Sequence, residues 1–353
     1  MKTIRILGAG ISGLTAAINL AKEGYDVEVL ERFSDVGEKY KLNFEGLENW
    51  TTDIMKLLKK INIKANFKNK GFNEVTWYSP SFRKAILKDK TPFFYLVERG
   101  GKNSLEYSLK KQALDLGIRF IFNSKSSDAN IISVGARKPM AFGFGTFYEN
   151  VDFKDSVIGI LSNKIAPSGY FYIHIWNKRA TVCTTTRDIK NIKDLRNIHK
   201  RNLKIDICRE LLTNSKEKHE FSGFVNYNVP ISAFIDGRIY TGEAAGFQDA
   251  FLGFGMKYAF LSGYFAAKSI IDNLSYDELW KKCFKNELKR TLYPRFYISL
   301  FGDRMYEKII KFLQYNEDHK SILKSNYCNN NWKSELIYSI YSKFILIRCK
   351  NLE

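Results

Sequence analysis

The sequence holds no cysteine pair at CxxC spacing; Cys183, Cys208, Cys283, Cys328 and Cys349 are scattered along 353 residues. A disulfide framework or a cysteine-rich zinc site is therefore not expected, and the pattern suits a reducing cytoplasm. Four histidines, His174, His199, His219 and His319, show no metal-ligand spacing, so no metal is expected. Only six prolines and no low-complexity tract argue against long disordered segments. No apolar run reaches the roughly 18 residues that span a bilayer; the longest, 258–271, is broken by Ser262, Gly263 and Lys268. A signal peptide is not expected, because a strand pattern starts almost at once. There is no internal repeat and no nucleic-acid-binding motif, so nucleic acid is not an expected partner.

What is present is an apolar content of 45%, sufficient for a core, on a chain long enough for two domains or one interrupted domain. Aromatics reach 15%, which suits wide apolar pockets and would also follow from an AT-rich coding bias. The net charge of +19 attracts anionic surfaces. It reads either as a solvated lysine surface or as peripheral contact of a cytoplasmic protein with anionic membrane.

Periodicity predicts a strand at 3–7, a helix at 11–22 stopped by Gly24, and a strand at 26–30. A helix capped by Thr51 or Thr52 runs to about 61. Strands follow at 72–78, 83–87 and 93–98, then a helix at 104–116 and strands at 118–122 and 131–135. The stretch 140–185 is β throughout. Helices fit 194–212, strands 223–229 and 238–241, a long helix 250–272, and a basic, aromatic, helical tail from 276. The expected fold class is α/β (α+β overall). A Rossmann-like dinucleotide domain (1–70, 99–140 and 225–275) is interrupted by a β-rich substrate domain (71–98 and 141–224), with a helical C-terminal region at 276–353.

Gly8, Gly10 and Gly13 form G-A-G-I-S-G between a strand and a helix. The first glycine permits a tight turn, the second lets backbone approach a pyrophosphate, and the third allows close helix–strand packing. The helix N-terminus, at Ile11 and Ser12, stabilises the anion. Glu31 ends the second strand, where a carboxylate accepts hydrogen bonds from ribose hydroxyls, with Arg32 beside it. This unit predicts dinucleotide binding and leaves FAD and NAD both open.

The stretch 240–255 reads Y-T-G-E-A-A-G-F-Q-D-A-F-L-G-F-G and precedes an apolar helix. It resembles the second flavin signature of the p-hydroxybenzoate hydroxylase superfamily, above all its geranylgeranyl reductase branch. The resemblance implies FAD as cofactor. Gly242 and Glu243 would meet the ribityl chain, and Gly253, Phe254 and Gly255 the flavin ring. It also implies Arg99, in V-E-R-G-G, near the pyrophosphate or ribityl chain. Glu48, Asn49 and Trp50 resemble a segment of reductase-like relatives; lining of the flavin or substrate and packing at a helix start are both open. Residues 169–176, G-Y-F-Y-I-H-I-W, stand where that branch carries Y-x-W-x-F-P. By alternation Tyr170, Tyr172, His174 and Trp176 share one face, an aromatic wall for an apolar or isoprenoid substrate. His174 is the catalytic candidate as proton donor, beside the commoner reading of a structural histidine.

One departure is chemical. The superfamily's A-D-G after the strand at 131 is here Gly135, Ala136, Arg137, so the aspartate is missing. This counts against NAD(P)H-driven hydroxylation. The implied function is an FAD-dependent oxidoreductase reducing isoprenoid C=C bonds by hydride from the reduced flavin. A flavin monooxygenase or halogenase, and a non-catalytic flavin-binding protein, are the alternatives. The electron donor is open between NAD(P)H and ferredoxin, and the segment 337–348 is a candidate for contact with anionic lipid.

Overall fold

The computed structural model describes residues 3–136 and 139–328. The expected residues Lys2, Arg137 and Cys349, and the segment 337–348, lie outside them. The chain has the expected α/β architecture, with a Rossmann-like unit, a second large sheet and a helical C-terminal region.

The first sheet has the order β15 (Phe234–Ile235), β16 (Arg238–Tyr240), β9 (Ile131–Ile132), β1 (Ile4–Leu7), β2 (Val27–Leu30), β8 (Arg119–Ile121). Its four central pairings are parallel, and β15–β16 is antiparallel. Helix α1 (Ile11–Lys22) is buried at every position from Ile11 to Leu20. A helix buried all round must be covered on both sides; α1 lies between the sheet and helices α3 (Leu105–Leu114) and α6 (Met256–Ile271). Small residues make this possible. A Cβ on Gly263 of α6 would collide with the carbonyl oxygen of Ser12, so only glycine lets the two backbones meet.

The second sheet has the order β14 (Lys216–Val225), β10 (Ala141–Glu149), β13 (Arg179–Thr186), β12 (Phe171–Trp176), β11 (Ser156–Ile160), β5 (Glu74–Tyr78), β6 (Lys84–Lys88). On β12 the expected alternation is present: Phe171, Ile173 and Ile175 are fully buried, while Tyr170, Tyr172, His174 and Trp176 face the other way. A third sheet, β3 (Asn43–Glu48), β7 (Phe94–Arg99) and β4 (Asn69–Phe72), stands between the two. Helix α2 (Ile54–Lys60) follows β3; α4 (Leu195–Asn202) and α5 (Asp206–Leu211) follow β13. The C-terminal region is α7 (Tyr276–Trp280), continued by a π turn into α8 (Asn286–Phe301), then α9 (Asp303–Gln314) and α10 (His319–Cys328).

Several expectations are corrected. The helix expected at 250–272 begins only at Met256, because Gly253 has φ +80° and the Asp249 carboxylate accepts the amides of Phe251 and Leu252, fixing a turn. The helical stretch 194–212 is two short helices. The strand at 223–229 is instead Lys216–Val225, drawn along by a full-length antiparallel pairing with β10. The strand at 131–135 keeps only Ile131–Ile132. The cap of α2 is Asp53, whose side chain accepts the Lys56 amide at 3.1 Å, not Thr51 or Thr52. Strand β3 was not expected at all; its N-F-E-G-L-E has glycine and two acids, and pairing with β7 decides it.

Candidate active site

A cavity of about 1270 Å³ runs from the glycine turn after β1, past the aromatic face of β12, to α9 and α10. Ordinary small-ligand clefts hold roughly 300–1,000 Å³, so there is room for a dinucleotide and a second molecule.

At one end the three glycines act differently. A Cβ on Gly8 (φ +104°) would come 2.6 Å from the Ser133 carbonyl oxygen, and one on Gly13 would strike the Gly8 carbonyl. These two are required by packing, and Gly13 does not line the cavity. A Cβ on Gly10 would meet nothing of the protein nearer than 4.0 Å; it would project into the space a phosphate needs. Gly10 precedes α1 with no side-chain cap, leaving the first amides of α1 for an anion. Ile11 and Ser12 line the cavity there. The Glu31 carboxylate accepts the amides of Ala9 at 2.8 Å and Phe33 at 3.1 Å, which anchors it beside the turn. Arg32 also lines the cavity, its guanidinium 4.6 Å from the Phe33 ring.

The second signature closes the middle of the cavity. Gly242 (φ +55°) abuts Ser12, whose Oγ would lie 2.9 Å from a Cβ there. Glu243 faces the segment after β9, its Oε2 3.8 Å from where a Cβ on Gly135 would lie. Burial raises the Glu243 pKa, with Lys39 opposing. Gly253, Phe254 and Gly255 line the cavity. Their loop is held from three sides: Gln248 Nε2 donates to Gly253 O at 2.6 Å, the Tyr170 hydroxyl donates to Leu252 O at 2.6 Å, and the Tyr327 hydroxyl donates to Asp249 at 2.8 Å. The Phe254 ring packs on Trp50 with centroids 4.7 Å apart.

Arg99 reaches the cavity wall but is already engaged. It is 3% exposed, ion-paired to Glu106 at 2.5 Å and to Glu45, and stacked 4.0 Å from the Tyr40 ring centroid. Burial works against its charge, yet Glu106 and Glu45 hold its pKa well above the ordinary value. Trp50 lines the cavity, whereas Asn49 donates to Pro92 O and accepts the Ile54 amide, a packing role at the start of α2.

Tyr170, Tyr172 and His174 form a wall of the cavity, the rings of Tyr172 and His174 being 4.5 Å apart. Trp176 shares their face but lies past the cavity, packed on Phe44 at 5.3 Å. The His174 Nδ1 is buried without a partner, and burial pushes the ring pKa down to about 4, so it is neutral at pH 7. Cys183, cross-strand from Tyr172, also lines the wall; burial pushes its thiol up to about 12 and keeps it unreactive. Beyond lie Val75, Leu87, Leu161, Leu313 and Ile322, an aliphatic chamber.

Sequence reasoning missed Lys39, Glu45 and the loop anchors Gln248, Asp249 and Arg187. Arg187 donates to Ala250 O at 2.8 Å. Gln248 and Asp249 lie inside the second glycine-rich stretch, but its spacing marks the glycines and not these anchors, while Lys39, Glu45 and Arg187 stand in no motif. Among the described residues no group of three His, Cys, Asp or Glu could hold a metal, and no helix is long and apolar enough to cross a membrane.

Residues 6–41 match the NAD(P)-binding Rossmann-like domain family. No curated protein matches the sequence. Among solved structures, a geranylgeranyl bacteriochlorophyll reductase-like protein from Thermoplasma acidophilum is similar with a TM-score of 0.74 and 19% identity, over 92% of this chain and 96% of its own. The flavin-dependent brominase Bmp2 gives 0.62 and 14%, over 98% and 100%. CtdE, solved in complex with FAD and a substrate, gives 0.61 and 13%, over 100% and 99%. The chain therefore has the fold of these proteins, one of them a flavin-dependent brominase and one solved with FAD.

Proposed function

We propose that the chain is an FAD-dependent oxidoreductase that reduces carbon–carbon double bonds of an isoprenoid or comparably long apolar substrate. The observation that carries this is the continuity of the cavity from a dinucleotide turn to an aromatic and aliphatic chamber. The residues fit FAD: Gly10 leaves space at a helix N-terminus, Glu31 stands at the ribose position, and Gly253–Gly255 present backbone where a flat ring would lie. Bound FAD, when reduced, supplies hydride to a neighbouring carbon.

The chain's own residues bind, orient and exclude water. The N-terminus of α1 would hold the pyrophosphate, and the start of α6 would face the flavin ring, where its dipole would favour negative charge. Glu243 would meet the ribityl chain. Tyr170 and Tyr172 orient an apolar chain along the wall, and Trp50 and Phe254 close the side opposite β12. His174 is neutral and its Nδ1 has no protein partner, so it serves as part of the wall, and the proton that completes the reduction would come from solvent entering the cavity. The electron donor is NAD(P)H or an acidic partner such as ferredoxin, which the positive surface would attract.

Incubation of dithionite-reduced protein with a geranylgeranyl lipid, read by mass spectrometry, should show a gain of two hydrogens per reduced bond. No gain on any prenyl lipid would overturn the reading. Rapid NADPH oxidation with oxygen uptake would favour a monooxygenase or halogenase instead. Purified protein that stays colourless with added FAD would remove both.

A further inference from the structure

Helix α9 has two faces. Tyr306, Ile310 and Leu313 are buried. Arg304, Lys308, Lys311, Phe312 and Tyr315, at i, i+4, i+7, i+8 and i+11, make one continuous outer stripe. Phe312 is 53% and Tyr315 75% exposed. The helix's acids turn the other way: Asp303 accepts the Asn163 amide and Glu307 the Ser81 amide, each at 2.7 Å. At the elbow made by Gly302, the end of α8 adds Leu300 and Phe301, 63% and 49% exposed. Exposed aromatics interleaved with cations, and acids withdrawn, are the pattern of a helix lying in a bilayer interface.

The cavity also reaches the surface on this face. Lys308 and Phe312 line the cavity although both are exposed, and Tyr297, stacked on Phe301, lines it from α8. The exposed ring of Phe312 beside this opening is costly to hold in water, and an apolar substrate is scarce there.

We propose that the outer face of α9, with the adjoining end of α8, docks on an anionic lipid bilayer, so that the cavity opens into the membrane interface. The charge supports this occupant: the face presents three cations on a chain of net charge +19. Only the passage of a substrate through this mouth rests on the reductase reading. Docking itself is read without turnover, so either idea can fail alone.

The test is co-sedimentation of the full chain with vesicles of phosphatidylcholine, with and without phosphatidylglycerol. Wild type should sediment with the anionic vesicles and not with the neutral ones. Arg304→Gln/Lys308→Gln/Lys311→Gln removes three surface charges and should weaken that binding by on the order of a hundred-fold. Phe301→Ser/Phe312→Ser should weaken it as well. Lys59→Gln/Lys60→Gln, on the exposed side of α2, should leave it unchanged; circular dichroism checks that every variant is folded. Failure of wild type to bind overturns the proposal. So does an α9 triple variant that binds like wild type, which would place the affinity elsewhere, for instance in residues 329–353. Equal loss in the α2 variant would reduce the effect to diffuse charge and overturn it too.

Discussion

Lys257 is the second residue of α6 and is 3% exposed. Its ammonium lies 3.1 Å from Glu48 and 2.9 Å from Glu287 and donates to the Thr51 hydroxyl at 2.6 Å. One cation thus ties β3 and α8 to the start of the helix that follows the Gly253–Gly255 loop. Replacing it by methionine, Lys257→Met, fills the volume and leaves two carboxylates without their counter-charge. Breaking a buried pair in this way costs about 3–5 kcal/mol. The loss depends on pH with a definite sign. Burial already raises the Glu48 pKa, with Lys257 opposing; without Lys257 it rises further above the roughly 4.3 of an unfolded glutamate. A carboxyl whose folded pKa is raised contributes stability at low pH that is lost as pH rises through that pKa. The deficit should therefore be largest near pH 8 and shrink toward pH 5. Urea unfolding followed by tryptophan fluorescence at the two pH values measures it. Glu48→Gln/Lys257→Met/Glu287→Gln, with no buried charge left, should recover most of the loss. A deficit below about 1 kcal/mol at pH 8, or one that does not change with pH, would refute the assignment of a buried ion cluster.

Gly10→Val should fold yet abolish flavin retention, because its side chain would enter ligand space and not protein; the released-cofactor absorbance after purification checks this. Gly13→Ala should instead lower stability, since its Cβ meets the Gly8 carbonyl. Tyr170→Phe removes the bond to Leu252 O and should cost about 1 kcal/mol, read as a several-fold weaker FAD dissociation constant. His199, fully buried between Thr146 and Thr184, has its pKa pushed down by burial to about 4 from an ordinary 6.5. A depressed histidine stays neutral while the unfolded chain takes up a proton, so stability should fall as pH drops from about 6.5 to about 4, by on the order of 3 kcal/mol. His199→Gln should flatten that slope in pH-dependent urea titrations.

Much of the site was legible because its signals are local. Gly8, Gly10, Gly13 and Glu31 belong to one βαβ unit, in which each glycine answers to a turn, an approach or a packing contact within a few residues. The alternation of β12 likewise needs only the pleat of one strand, so the shared face of Tyr170, Tyr172, His174 and Trp176 could be read from spacing. Where spacing ends, so did the reading. It could not say that Trp176 stands past the cavity against Phe44, since that depends on β3, a strand created by pairing with β7 across some fifty residues. It placed Arg99 on a cofactor without seeing that Glu45 and Glu106 already neutralise it.

By itself the sequence determined that a dinucleotide turn opens the chain, that a second glycine-rich loop precedes a long helix, and that the intervening segment is β. Each follows from periodicity and from glycine's freedom at a handful of positions. Only the tertiary structure decided that the two glycine loops face one cavity, with Gly242 against Ser12, and that Glu243 faces the segment after β9 at Gly135. It alone showed α9 and α10 lining the far end of that cavity. These are contacts between segments more than a hundred residues apart, and they arise from burial of the whole chain, which no local pattern encodes.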